Sequence, residues 1–120
     1  MFATIENLPD GAIGFEAVGR ITDADRHAVL EPTIETMLEH GGQVRLLYLA
    51  GPRFDGYDPN TLLDDAVFGS RHFSHFAKIA FLAEEGPYRR AVGALEGLMP
   101  GELKLFSAGA VEDAKAWLAE

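Results

Sequence analysis

The sequence contains no cysteine among its 120 residues. This absence excludes a disulfide framework, a thiolate metal site and a cysteine nucleophile. Positive charge is also scarce, because 10 Lys and Arg residues face 19 Asp and Glu residues and leave a formal net charge of -9. Binding to nucleic acid or to anionic lipid depends on Lys and Arg, so neither is predicted as a partner.

Long apolar runs are missing as well. No stretch approaches the ~18 apolar residues of a membrane span, and the opening MFATIENLPDG lacks the basic start and apolar core of a secretion signal. We therefore expect a cytoplasmic protein without a membrane span. The hydrophobic content of 48% is enough for one core, and no linker or repeat divides the chain, so a single domain over residues 1–120 is expected.

The hydrophobic pattern that is present predicts alternating strands and helices. Strand-like runs lie at residues 2–7, 12–19, 44–49, 77–82 and 103–106. Helical spacing lies at residues 22–40, 59–72, 87–99 and 111–118. Pro9-Asp10-Gly11 is a turn sequence that predicts a hairpin between the first two strands. The nearly continuous apolar runs at 44–49 and 77–82 are typical of parallel strands covered on both faces, so the order predicts an α/β fold with right-handed crossovers.

Two predicted helices carry clear start signals. Thr22 and Asp25 have the spacing of a capping box, with Thr22 as the N-cap. Pro32 falls inside that helix, where the missing N–H predicts a kink or a restart. Asp58 followed by Pro59 is typical of an N-cap and a first-turn proline for the next helix.

The acids and histidines of the second predicted helix could serve either chemistry or structure. Asp64 and Asp65 lie near its start, where the helix dipole favours negative charge and a structural role is sufficient. Seven or eight residues of helix separate them from His72 by roughly 10–12 Å, which excludes an acid–histidine dyad within one helix. His72 and His75 lack a third ligand of metal-site spacing, so no metal or other cofactor is predicted.

A predicted loop at residues 51–58 follows the carboxyl end of a parallel strand, which is where open α/β sheets place ligands. Phe54 and Tyr57 in this loop are candidates for a recognition surface. The alternative is that both rings simply cover the helix below, since aromatic side chains commonly bury in this way.

Several segments together resemble the SpoIIAA-like family, which belongs to the STAS and CRAL-TRIO-like group of small bacterial proteins. They are residues 21–49 (ITDADRHAVLEPTIETMLEHGGQVRLLYL), Gly56-Tyr57, Leu63-Asp64-Asp65, Phe76-Ala77-Lys78-Ile79-Ala80, Pro87-Tyr88 and Ala114-Lys115-Ala116-Trp117-Leu118. Their order and spacing cover nearly the whole chain. The resemblance implies a STAS-like α/β fold: a mixed, mostly parallel sheet of about five strands, an N-terminal β-hairpin and four helices.

The resemblance also implies a function, and it suggests that Asp65, His72 and Phe76 are family positions. It implies a non-catalytic binding or regulatory interaction module that holds a protein partner or a small apolar, lipid-like ligand, with a homodimer left open. The candidate binding residues are Phe54, Tyr57, Asp65, His72 and Tyr88. The alternative function is a small enzyme that uses Asp64 or Asp65 with a histidine from another element.

Overall fold

The computed structural model describes residues 1–39, 43–57, 76–86, 89–90, 93 and 102–120. The strands are β1 (Phe2–Thr4), β2 (Ala12–Ala17), β3 (Gly19–Ile21), β4 (Val44–Ala50), β5 (Phe54–Tyr57), β6 (Phe76–Ala83) and β7 (Glu102–Phe106). The helices are α1 (Asp23–Asp25), α2 (Glu31–Glu39) and α3 (Val111–Ala119), and a π-helical turn (Arg26–Leu30) joins α1 to α2.

Five of the strands form one mixed sheet in the order β1-β2-β4-β6-β7. β1 runs antiparallel to β2, with Phe2 opposite Ala17, and the other neighbours pair in parallel. The predicted hairpin and the predicted mostly parallel, five-stranded sheet are therefore confirmed. The order also confirms that the first strand lies at an edge and that the two most apolar runs, β4 and β6, lie inside the sheet.

Alternation along β4 divides the core between the two faces of the sheet. Val44, Leu46 and Tyr48 belong to the core on the α2 side, together with Ile34 of α2. Leu47 faces the other way and packs with Leu118 of α3. Both faces of β4 are thus covered by apolar side chains, which explains why its sequence is a continuous apolar run and not an alternating one.

The start of the first helical region has the predicted capping box. The Asp25 N–H donates to Thr22 Oγ1 (3.3 Å), and the Thr22 N–H donates to Asp25 Oδ2 (2.9 Å). Partial desolvation acts to raise the pKa of Asp25, but the hydrogen bonds from Thr22 and the N-terminal ammonium, 3.4 Å from Asp25 Oδ2, together outweigh it and the pKa is lowered. The reciprocal bonds satisfy donors that the first helical turn leaves free.

Pro32 lies where the helical region changes its hydrogen-bond pattern, and the helix continues there without a break. The π-helical turn ends at Leu30, and α2 follows directly with Pro32 as its second residue. Proline has no N–H to continue the hydrogen-bond ladder, but it is tolerated in the first turn of a new helix. Thr36 Oγ1 donates to the Pro32 carbonyl (2.8 Å).

The end of α3 is held by two cations from the sheet. Arg45 of β4 and Lys78 of β6 are register partners, and they donate to the carbonyls of Leu118 and Trp117 respectively. Lys78 Nζ also lies 4.9 Å from the centre of the Trp117 ring. Because the carboxyl end of a helix carries partial negative charge, both cations stabilise the docking of α3.

The predicted count of four helices is not confirmed. The described residues carry two helical regions, 23–39 and 111–119, together with helical residues 89, 90 and 93. The predicted helix at 59–72, its cap Asp58, and most of the predicted helix at 87–99 lie outside the described residues. Within the described part of the chain, no helix has the length and apolar character needed to cross a membrane.

Candidate functional site

The carboxyl end of β4 leads into a corner that differs from the predicted loop. Residues 51–53 form a tight turn, in which the Phe54 N–H donates to the Gly51 carbonyl (3.0 Å). The chain then enters β5, which pairs in parallel with β3 as a separate two-stranded sheet. The prediction of a loop throughout 51–58 is therefore wrong from Phe54 to Tyr57. We call residues 51–57 the β4–β5 corner.

β5 contains a bulge, and its extra residue is exposed. Gly19 pairs with Phe54, whereas Arg20 pairs with Gly56, so Asp55 is the extra residue and is exposed. Gly56 has a φ of 111°, which side-chain-bearing residues rarely adopt. Bulges of this kind redirect side chains at sheet edges and are frequent beside functional sites.

A bidentate ion pair fixes the corner against the main sheet. Arg53 Nε lies 3.0 Å from Glu16 Oε2, and Arg53 Nη2 lies 2.6 Å from Glu16 Oε1. The Gly19 N–H donates to the Arg53 carbonyl (2.6 Å). Because Arg53 binds β2 through its side chain and β3 through its backbone, the turn is held in one orientation.

The two ends of this ion pair have different surroundings. The Glu16 side chain is 17% exposed, whereas that of Arg53 is 60% exposed. The hydrogen bond from Arg53 is the largest influence on Glu16, and together with the positive charge it lowers the pKa of the carboxyl in spite of partial desolvation. The same contact raises the pKa of Arg53. The guanidinium of Arg53 thus lies at the surface, while one of its edges is hydrogen-bonded to Glu16.

Lowering the pH is expected to weaken folding through Glu16. Its pKa is held below the ordinary value of 4.5 in the folded protein, so its stabilising contribution is complete above that value and is lost as the pH falls through the folded pKa. Glu16→Gln removes the titrating group. Urea unfolding from about pH 7 to pH 3 should show the stability advantage of the parent protein over Glu16→Gln shrinking towards acid.

Arg53→Gln provides the matched control for this prediction. It leaves Glu16 without its cation and is expected to reduce the acid-dependent loss of stability as Glu16→Gln does. A constant difference between the parent protein and Glu16→Gln over the whole pH range would contradict the ion pair.

The structure places one of the predicted binding residues in a clear environment. The Phe54 side chain is partly buried and packs against the core on the α2 side. The alternative that both rings cover the helix below stays a prediction, because that helix lies outside the described residues. Tyr57 ends β5 and pairs with Ile21. The other candidates, Asp65, His72 and Tyr88, lie outside the described residues, as do Asp64 and His75.

The described residues bring together no group of three or more His, Asp or Glu side chains that could hold a metal ion. His27 is paired with a single carboxylate, that of Glu31, at 2.5 Å from Nδ1 to Oε2. One histidine and one carboxylate supply fewer protein ligands than the three or four of a typical zinc site.

Comparison with protein families identifies the fold. A sequence model of the SpoIIAA-like family matches residues 12–119. The chain belongs to the SpoIIAA-like family. The match extends from the start of β2 to the last residue of α3 and so includes every strand after β1 and the β4–β5 corner. A search of curated proteins finds no match.

Two solved structures support the same fold for this SpoIIAA-like chain. An uncharacterized protein of the DUF3478 family from Shewanella loihica PV-4, described as having a SpoIIAA-like fold, superposes with a TM-score of 0.74. Its identity is 24%, covering 98% of this chain and 92% of that one. The anti-sigma factor antagonist SpoIIAA in its unphosphorylated form superposes with a TM-score of 0.60 at 12% identity, covering 94% of this chain and 96% of that one.

Sequence reasoning did not single out three residues of the corner: Glu16, Arg53 and Asp55. Glu16 lies within a predicted strand and resembles an ordinary outward-facing acid. Arg53 and Asp55 flank Phe54 in a segment that the sequence identifies only as a loop. The available signal is Gly56, because a glycine within a short strand often marks a bulge.

Proposed function

We propose that this SpoIIAA-like chain is a non-catalytic regulatory module that binds a protein partner through the β4–β5 corner. The observation that carries this proposal is the bulge at Asp55 on a turn fixed by the Glu16–Arg53 ion pair. A surface fixed before binding loses less conformational entropy when a partner docks. The likeness in fold to an anti-sigma factor antagonist supports a protein as the partner.

The exposed groups of the corner favour a protein over a small apolar ligand. Pro52, Arg53 and Asp55 are exposed, whereas the ring of Phe54 packs against the core. A small apolar ligand needs a concave apolar site, but the described side chains of this corner present one cation and one anion outward. Charged pairs at the rim of an interface set partner choice and association rate.

The predicted binding residues extend this surface in the proposal. Tyr57 continues the corner beyond Asp55, and Asp65, His72 and Tyr88 are proposed to contribute to the same contact. Phe54 contributes from below, because its packing fixes the strand that carries Asp55.

Charge reversal at the bulge tests the proposal. The tagged parent protein would capture partners from a lysate of the source organism, and a captured protein would be purified and its affinity measured by calorimetry. Asp55→Lys is expected to weaken that affinity about tenfold or more, because it places like charge against the partner. Asp10→Lys makes the same change at an exposed aspartate in the hairpin turn at the opposite end of β2 and is expected to bind as the parent protein does.

Two outcomes would count against the proposal. Equal affinities for the Asp55→Lys and Asp10→Lys variants would show that the corner is not the binding surface. A substrate screen in which the parent protein shows turnover and Asp65→Asn shows none would establish an enzyme instead.

A further inference from the structure

A cavity of about 240 Å³ opens at the amino end of β2, away from the β4–β5 corner. It lies between α2 and the hairpin connection, which is residues 5–11 between β1 and β2. Leu8, Ile13 and Phe15 contribute apolar surface to its wall, and Thr4, Glu6 and Thr33 contribute polar groups. A water molecule occupies ~30 Å³ in the liquid, so the cavity has room for about eight, or for a small organic molecule.

The cavity lies where the chain between β1 and β2 separates from β2, between two backbone hydrogen bonds. The Ile5 N–H donates to the Gly14 carbonyl (2.9 Å), and the Ala12 N–H donates to the Pro9 carbonyl (3.1 Å). Between them Asn7 adopts a positive φ of 60°, a conformation that asparagine tolerates better than most residues. The segment bends outward there and leaves a gap beside β2 that Thr33 of α2 borders.

The wall has a definite electrostatic character. Among the described residues that line the cavity, Glu6 is the one ionisable side chain, and it is exposed to solvent. The chain as a whole carries a formal charge of -9. An anionic ligand would therefore be repelled by both the local carboxylate and the overall field.

The remaining lining groups define what a ligand needs besides positive charge. Ile13 and Leu8 are partly buried and offer contact to a short hydrocarbon body, whereas Phe15 lines the cavity but is only 1% exposed. The hydroxyls of Thr4 and Thr33 can accept hydrogen bonds from an ammonium group. Apolar walls with a few polar groups are the common composition of small-molecule sites.

We propose that this cavity, lined by Glu6, Thr33 and Phe15, is a binding site for a small organic cation with an ammonium head and a short apolar body. The ammonium group pairs with Glu6, and the hydrocarbon packs against Ile13 and Leu8. The site is separate from the β4–β5 corner and goes beyond the proposed partner binding.

Three probes of matched size test the charge requirement: n-butylammonium, n-butanol and butyrate. Each would be titrated into isotope-labelled protein while backbone amide resonances are followed by NMR. Butylammonium is expected to shift the amides of residues 4–8, 12–15 and 33 with a saturating curve. Butanol should bind more weakly, and butyrate should cause no saturating shift there.

Variants then test the named residues. Glu6→Gln is expected to weaken butylammonium binding about two- to fivefold, the range of one solvent-exposed ion pair. Thr33→Phe fills the cavity and should abolish the shifts. Glu102→Gln, an exposed acid on β7 at the far edge of the sheet, should leave them unchanged, as should Asp55→Lys at the β4–β5 corner.

Any of three results would overturn the proposal. Butyrate or butanol could bind as tightly as butylammonium, which would remove the charge requirement. The amine shifts could survive unchanged in Thr33→Phe, in a variant whose spectrum shows that it is folded. Glu6→Gln could bind the amine as the parent protein does.

Discussion

Replacing Leu82 by alanine is expected to lower the free energy of unfolding by about 2–5 kcal/mol, the range for leucine-to-alanine changes in protein cores. Leu82 lies on β6, is 0% exposed and packs in the core between the sheet and α3. The shorter side chain leaves a cavity that strands paired on both sides cannot close. Urea unfolding at neutral pH would measure the loss.

A matched variant on the neighbouring strand separates burial from strand position. Leu49 of β4 is the register partner of Leu82 and belongs to the same core, but it is only partly buried. Leu49→Ala is therefore expected to cost clearly less than Leu82→Ala. Similar losses for the two variants would contradict the described burial of the α3 side of the sheet.

The main sheet could be predicted from the sequence because its signals are local. β4 and β6 carry apolar residues on both faces, whereas a half-exposed strand needs them on one face only. Such a continuous apolar run indicates that both faces of the strand are covered. The observed strands, 44–50 and 76–83, extend the predicted ones by only one or two residues. The capping box and Pro32 are also local, since each acts through neighbours within a single turn.

The small β3–β5 sheet could not be predicted, because its pairing is not local. The strands are three and four residues long, and both carry glycine, which weakens strand propensity. The Glu16–Arg53 contact beside this pairing joins residues 37 positions apart. No periodicity within either segment records such a contact, so the sequence indicated a continuous second strand through Gly19 and a loop at Phe54.

The candidate site, too, could be predicted only where its signals are local. The sequence directed attention to the segment after a parallel strand, since topology places ligand-binding loops there, and the proposed binding corner lies in that segment. It emphasised Phe54, whose ring packs against the core, and overlooked Asp55, the exposed extra residue of the bulge. Side-chain direction at a bulge depends on register, and register is a property of two strands together.

Gly14→Val is expected to be the other strongly destabilising change, with a loss of about 1–3 kcal/mol, the usual cost of added methyl groups in a packed site. A Cβ atom at Gly14 would lie 2.8 Å from Leu8 Cδ1 and 3.1 Å from Ile5 Cβ. The Leu8 methyl can rotate away, but Ile5 Cβ is fixed by its backbone bond to the Gly14 carbonyl. The hairpin connection would have to lift from β2, and Leu8 would move with it.

Gly109→Val is the control, because a Cβ atom at Gly109 would meet no atom within 4 Å. Its effect is expected to stay within about 0.5 kcal/mol, as for most surface substitutions. Since Leu8 lines the cavity, Gly14→Val should also weaken butylammonium binding, whereas Gly109→Val should not. If Gly14→Val unfolded at the same urea concentration as the parent protein, the close packing of residues 5–8 over β2 would be contradicted, because that packing leaves no room for a side chain at position 14.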